Sequence, residues 1–195
     1  SVDALDLLFF NVWDAEWFAS LVPEFRYFVL SNYLEQGAFA LQDNSLQVQL
    51  LQNSLEAGDG PVDRLCQTLA EHYLVQGQVQ RAEALIRDDM TAYGLSIQGD
   101  VCFMANRNDE ALVLYHAALK LIKKQTRKRN VCLPAMHGFL FNLALLKSRD
   151  AENIALLKKQ LQISIKIGDG GYFSRLNHYL SEISVPYCRN NCIRP

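Results

Sequence analysis

The segment Asn108–Arg129, NDEALVLYHAALKLIKKQTRKR, narrows the folds open to this chain more than any other stretch. Ala111, Leu112, Tyr115, Ala118, Leu119 and Ile122 recur at three- and four-residue steps, so they share one stripe of an α-helix. Small Ala111 and Ala118 let a neighbouring helix approach closely, with Tyr115 filling the space between them. Asn108 or Asp109 is placed to cap the start, and Lys120, Lys123 and Lys124 fall toward the end, where the helix dipole favours cations. Such a helix is suited to packing on other helices, and an all-α architecture is expected.

The chain has 195 residues, half of them hydrophobic, which is enough to bury a core for one domain. No apolar run approaches the roughly 20 residues needed to cross a bilayer. The most apolar stretch, FFNVWDAEWFASLVPEF, is interrupted by Asp14, Glu16 and Pro23. A soluble, cytoplasmic protein with no membrane contact is expected. The chain opens at Ser1 with no signal-peptide pattern and ends at CRNNCIRP, which reads as a piece of something larger. Its five cysteines are odd in number, and most lie inside apolar helical patterns, as in a reducing compartment. Cys188 and Cys192 are four apart, but no second close Cys or His pair completes a tetrahedral set, so no metal site is expected.

Charge is distributed unevenly. Residues 1–60 carry a net −8, residues 61–119 carry −4 and residues 120–195 carry +10, so the overall −2 hides a strong polarity. Either the C-terminal part faces a polyanion or an acidic surface, or the two ends of the chain attract each other.

Helical signals run along most of the sequence. Asp14 is placed to cap a short helix through Leu21. Pro23 occupies a first-turn position before EFRYFVLSNYLEQ, which Gly37 ends, with Phe25, Phe28, Val29 and Tyr33 expected to face inward. Ser45 opens a helix that the Gly58–Pro61 turn closes. A helix pair follows, with Leu65, Leu69, Tyr73 and Leu74 on the first helix, Gly77 at the turn, and Ala82, Leu85 and Ile86 on the second. The next pair turns at 106–108 and puts Ala111 in the role of Ala82, 29 residues on. A third pairs LPAMHGFLFNLALLKSR with AENIALLKKQLQISIKI, where Asp150 caps the second helix and Ala155 takes the small-residue position. GGYFSRLNHYLSEI reads as a closing helix after a glycine break.

These units resemble tetratricopeptide repeats through Tyr73, Gly77 and Ala82 and through Ala111, Tyr115 and Ala118, although the aromatic-rich opening of that family's repeat is missing and its period of about 34 residues is not kept. The resemblance implies a tetratricopeptide-like α-solenoid of about ten helices. It divides the single domain 1–195 into acidic, aromatic-rich helices (1–60), two repeat-like helix pairs (61–126), and a basic link with C-terminal helices (127–195). A narrower resemblance covers roughly 99–146. A repeat helix (Ala111–Ile122), a basic link (Lys123–Arg129), an apolar-Leu-Pro turn (Val131–Pro134) and an apolar helix (Gly138–Leu146) follow one another as in the region preceding the motor of large bacterial Swi/Snf-type helicases. That resemblance implies an accessory part of a DNA-dependent ATPase, with ATP and Mg²⁺ used by a motor outside this chain.

Nothing in the sequence itself points to catalysis. There is no GxxxxGK[ST] loop, and the GDGG cluster lacks the strand and the spacing of a phosphate-binding turn. His72, His116, His137 and His178 lie in four separate helical patterns with no nucleophile or metal signature around them. Asp88–Asp89 and Asp109–Glu110 read as caps and solvated charges. The aromatic group of Phe9, Phe10, Trp13, Trp17, Phe18, Phe25, Tyr27 and Phe28 is expected to be mostly core, with Trp13 or Trp17 the exceptions. The candidate site is the run Lys123, Lys124, Arg127, Lys128 and Arg129, five cations in seven residues. Such a run can touch nucleic-acid backbone, dock an acidic partner or a neighbouring domain of the same polypeptide, or serve only as a solvated helix end. A non-catalytic scaffold with no cofactor is expected. Direct DNA binding through the basic link is the alternative, and a free-standing adaptor a lesser one.

Overall fold

The computed structural model describes residues 16–37 and 45–167. Among them are nine α-helices and no strand, so the chain is all-α. The chain divides into two compact units between Val101 and Cys102. The first contains α1 (Glu16–Ser20), α2 (Pro23–Gly37), α3 (Ser45–Ala57), α4 (Val62–Val75), α5 (Val79–Ile86) and most of α6 (Ala92–Met104). The second contains the end of α6, then α7 (Asn108–Thr126), α8 (Ala135–Ser148) and α9 (Ala151–Ile167). No helix among the described residues is long and apolar enough to cross a membrane.

In the first unit, Leu51, Leu65, Leu69, Leu74, Ala82 and Ile86 form a continuous buried cluster, as the periodicity of α4 and α5 predicts. Pro23 does open α2. The inward face of α2 is a correction, however. Phe25 and Phe28 are 49% and 57% exposed and stack on each other, while Leu30 is buried and Tyr27 and Val29 pack partly against the core. The unbroken run Tyr27–Leu30 is apolar around the whole helix, so its spacing selects no face. Long-range polar contacts accompany the observed orientation. Arg26 forms an ion pair with Asp59 in the turn before α4, and the Tyr27 and Thr68 hydroxyls lie 3.0 Å apart. The side chain of Tyr33 lies outside the described residues.

Three turns close in the same way. After α3, α4 and α6, the residues Gly58, Gly77 and Asn106 adopt left-handed backbone conformations. In each case the next N–H reaches back five residues to a carbonyl: Asp59 to Ser54, Gln78 to Tyr73 and Arg107 to Cys102, each at 2.8 Å. This is the paired hydrogen-bond closure that satisfies the last carbonyls of a helix. At the second and third of these turns a fully buried alanine, Ala82 or Ala111, follows five residues later.

The start of α6 is built around Asp89. Its Oδ1 accepts the Thr91 N–H at 2.8 Å, and its Oδ2 accepts from Gln67 Nε2 at 2.7 Å. Thr91 in turn caps the helix, its Oγ1 accepting the Gly94 N–H at 3.0 Å. Gln98 reaches back to the Asp89 and Ile86 carbonyls. α4, the α5–α6 turn and α6 are therefore joined by one set of hydrogen bonds.

In the second unit Ala111, Tyr115, Ala118 and Leu119 are buried on one side of α7, and the Tyr115 ring lies 5.2 Å from that of Phe141 on α8. The expected cap of α7 by Asn108 or Asp109 is not formed. Arg107 occupies the cap position with no side-chain hydrogen bond to the helix's leading N–H groups, and Asn108, one residue inside the helix, donates from Nδ2 to the Ala144 carbonyl of α8 at 3.2 Å. A side chain already inside the first turn is poorly placed to reach its own helix's leading N–H groups, so it serves the packing of α7 on α8 instead. Asp150 does cap α9, its Oδ1 accepting the Glu152 and Asn153 N–H groups at 2.8 and 3.1 Å. Ala155 is exposed and does not take the small-residue position. Among the described side chains of α9 the buried positions are Gln160 and Ile163, a phase that leaves Ala155 on the outer side. Asp14, the aromatic residues Phe9, Phe10 and Trp13, the GDGG cluster, the expected closing helix, His178, Cys188 and Cys192 lie outside the described residues.

Candidate anion-binding segment

α7 ends in the basic run. Lys123 and Lys124 occupy its last turn, where the partial negative charge of the helix end offsets their like-charge repulsion. The chain then leaves the helix at Arg127, which holds a left-handed conformation with φ of 55°, and Lys128 and Arg129 follow in the link to α8. All five cations face solvent, and none forms an ion pair with an acid among the described residues.

The segment is tethered on both sides. Before it, the Thr126 hydroxyl donates to the Ile122 carbonyl at 2.8 Å and accepts from the Lys128 N–H at 3.4 Å. After it, Val131 and Leu133 are buried, and the Val131 carbonyl accepts from Gln160 of α9 at 3.5 Å. Pro134, in an extended conformation, then opens α8. Only Arg129 and Asn130 lie between the Lys128 and Val131 anchors, so the cations are presented by a short, bounded loop. The sequence marks the charges but not this anchoring. The alternation of buried Val131 and Leu133 with Cys132 was the available signal.

The exposed polar surface also continues N-terminally along α7. Lys120 and His116 are exposed at positions one and two turns before Lys123 and Lys124. The His116 ring stands edge-on to Phe141, with centroids 5.6 Å apart and planes at 85°. Burial, followed by the positive charge of Lys123, holds the His116 imidazole below the usual histidine range. Reading the histidines one by one misses this alignment; the spacing 116, 120, 123, 127 shows it.

Among the described residues, the other titratable groups do not converge on a reaction centre. His72 sits on α4 beside Tyr73, and burial lowers its pKa. His137 is buried in α8. Burial raises the Cys66 thiol above its ordinary pKa, reinforced by Asp63 and then Asp89, which favours the protonated thiol over the thiolate. Asp89 is committed to the start of α6, and Glu110 pairs with Arg107 at 3.1 Å. Among the described residues no group of three or more His, Cys, Asp or Glu side chains could hold a metal ion. Comparison with protein-family models, with curated proteins and with solved structures gives no match.

Proposed function

We propose that this chain is a non-catalytic interaction module that attaches to an anionic partner through Lys123, Lys124, Arg127, Lys128 and Arg129. The observation that carries this reading is that all five cations are exposed, on a loop fixed at both ends, without an acidic partner among the described residues. Five like charges held close together raise the local potential, and an external anion relieves their repulsion. Because the loop is anchored, little ordering entropy opposes binding. The helix pairs supply the scaffold. The recurrence of the same turn closure followed by a buried alanine, at Gly77–Ala82 and at Asn106–Ala111, supports treating them as tetratricopeptide-like repeat units. The resemblance of 99–146 to the region ahead of a helicase motor rests on the order of sequence features alone; on that reading the anionic partner is DNA or a neighbouring domain of the parent protein.

The test is fluorescence-anisotropy titration of a short labelled DNA duplex and of an acidic peptide at two salt concentrations, using the wild-type chain and a variant with all five cations changed to glutamine. Binding by either probe that weakens with salt and is lost in the variant supports the reading. Binding that survives neutralisation, or no binding to either probe at low salt, removes the basic segment as the docking site.

A further inference from the structure

We infer that the anion site continues along α7 through Lys120 to His116, that its occupant is a nucleic-acid backbone, and that His116 takes up a proton when the backbone binds. This inference rests on the reading of 123–129 as the docking site and extends it in length, partner and regulation.

The length follows from helix geometry. His116, Lys120, Lys123 and Arg127 succeed one another at three- or four-residue steps and are all exposed. At about 1.5 Å per residue, the row from His116 to Arg127 is about 16 Å long. A duplex presents about one charge per 1.7 Å of axis, so a row of that length faces several phosphates at once.

The partner follows from what the row lacks. Every exposed residue from His116 to Arg129 is polar, and the exposed aliphatic side chain of α7, Val113, lies ahead of the row. A stable protein interface requires a desolvated apolar core around a few such anchors. Backbone recognition does not, since phosphate neutralisation and counterion release supply the affinity. A linear polyanion therefore fits this row better than a folded acidic surface does.

The proton follows from the surroundings of His116. On α7 the charged groups ahead of it are Lys120 and Lys123. On α8, which packs against α7, it meets the edge of Phe141. The titratable groups of α8 are the buried His137 and Lys147, and Lys147 is directed to Asn106 at 3.3 Å. No carboxylate is present on α8, and the acids of α7, Asp109 and Glu110, stand about two turns before His116, as Lys123 stands about two turns after it. In the unbound protein partial burial against α8, and then the charge of Lys123, disfavour the imidazolium, so the pKa is lowered. A phosphate backbone along the row opposes that charge and favours the imidazolium, so backbone and proton assist each other's binding reciprocally.

The experiment measures duplex affinity by anisotropy at about pH 6 and about pH 8, either side of the imidazole range, at constant ionic strength. The proteins are wild type, His116→Gln, His116→Lys and the five-glutamine variant, each checked for unchanged thermal unfolding. Wild-type affinity is expected to rise about fivefold or more at the lower pH, the lower end of ordinary coupling between two ligands. His116→Gln should lose that rise, and His116→Lys should bind at the higher pH as wild type does at the lower. A pH effect of equal size in wild type and His116→Gln, or no pH effect in wild type, overturns the inference while leaving 123–129 as the docking site. Duplex binding absent at both pH values, with an acidic peptide still bound through the five cations, also overturns it and keeps the interaction module. Loss of both probes rejects the underlying reading as well.

Discussion

A Cβ placed on Gly94 would lie 2.1 Å from Cγ of Asp89, so the glycine leaves room for the carboxylate that organises the start of α6. Gly94 has no left-handed conformation to explain its presence, and close approach is the physical reason for it. Gly94→Ala should gain up to about 1 kcal/mol of helix propensity. It should lose more by pushing Asp89 away from Gln67 and Thr91, each hydrogen bond to a charged group being worth about 1.5–3 kcal/mol. The expected result in urea denaturation is net destabilisation, partly masked when Asp89→Ala is present, because the clash has then gone.

Acid should weaken the same joint. Burial pushes the Asp89 carboxyl upward, but hydrogen bonds from the Gln67 side chain and from the side chain and backbone of Thr91 outweigh it, so the folded pKa lies below the ordinary carboxylate value. A depressed folded pKa means that Asp89 contributes stability above its unfolded pKa, and that this contribution is lost as pH falls through the folded one. Denaturation midpoints should drop between neutral pH and pH values below the carboxylate range. The drop should be smaller in Asp89→Asn, and an equal drop in the two proteins would remove Asp89 as its source.

The anchoring of the basic loop can be tested without touching a charge. Leu133 is 3% exposed, and Leu133→Ala should cost about 2–5 kcal/mol. It should also loosen the link, so limited trypsinolysis within 123–129 should accelerate more than cleavage at Arg81 or Arg87. Uniform acceleration at all sites would indicate global unfolding and no local role for Leu133.

At the hinge of the first helical pair, Arg81 lies over the Tyr73 ring, 4.2 Å from guanidinium carbon to ring centroid, and donates to its hydroxyl at 3.1 Å. Gln52 donates to the same hydroxyl. Tyr73→Phe should cost about 0.5–1.5 kcal/mol for the hydroxyl. A double-mutant cycle of Tyr73→Phe with Arg81→Ala should isolate the Arg81–hydroxyl bond with a coupling of about 0.5–1.5 kcal/mol, the ring contact being kept in Phe.

Where one residue type dominated a short-range rule, the fold was legible in the sequence. Glycine at 58 and 77 forecast the turns because its missing Cβ tolerates a positive φ, and Asp150 forecast a helix start because it stands one residue outside α9. Ala82 and Ala111 were placed correctly because large neighbours three and four residues away defined their stripe. Ala155 and Phe28 were not. α9 carries apolar residues at 154, 156 and 157, and α2 carries them from 27 to 30, so in both the tertiary partners select the buried face. Of the candidate site, composition alone marked the five cations. The alternation at Val131 and Leu133 hinted at their anchoring, but the bond from Gln160 is brought back from α9, which local spacing does not reveal.

Arg127 and Arg149 both sit at helix ends in left-handed conformations, with φ of 55° and 57°. For a residue with a Cβ that conformation costs roughly 1–2 kcal/mol, and glycine avoids the cost. Arg149→Gly should therefore raise the unfolding free energy by about 1 kcal/mol and leave duplex affinity unchanged. Arg127→Gly should stabilise similarly and weaken binding.

The same pair gives a mutational library an internal compass. Sorted for abundance in cells, variants at 127 and 149 should drift together toward glycine. Sorted for capture of an anionic ligand, the two positions should part: 149 should still accept glycine, while 127 should keep arginine or lysine. A helix terminator that resists its best backbone choice under only one of two selections reports which selection the protein has been living under.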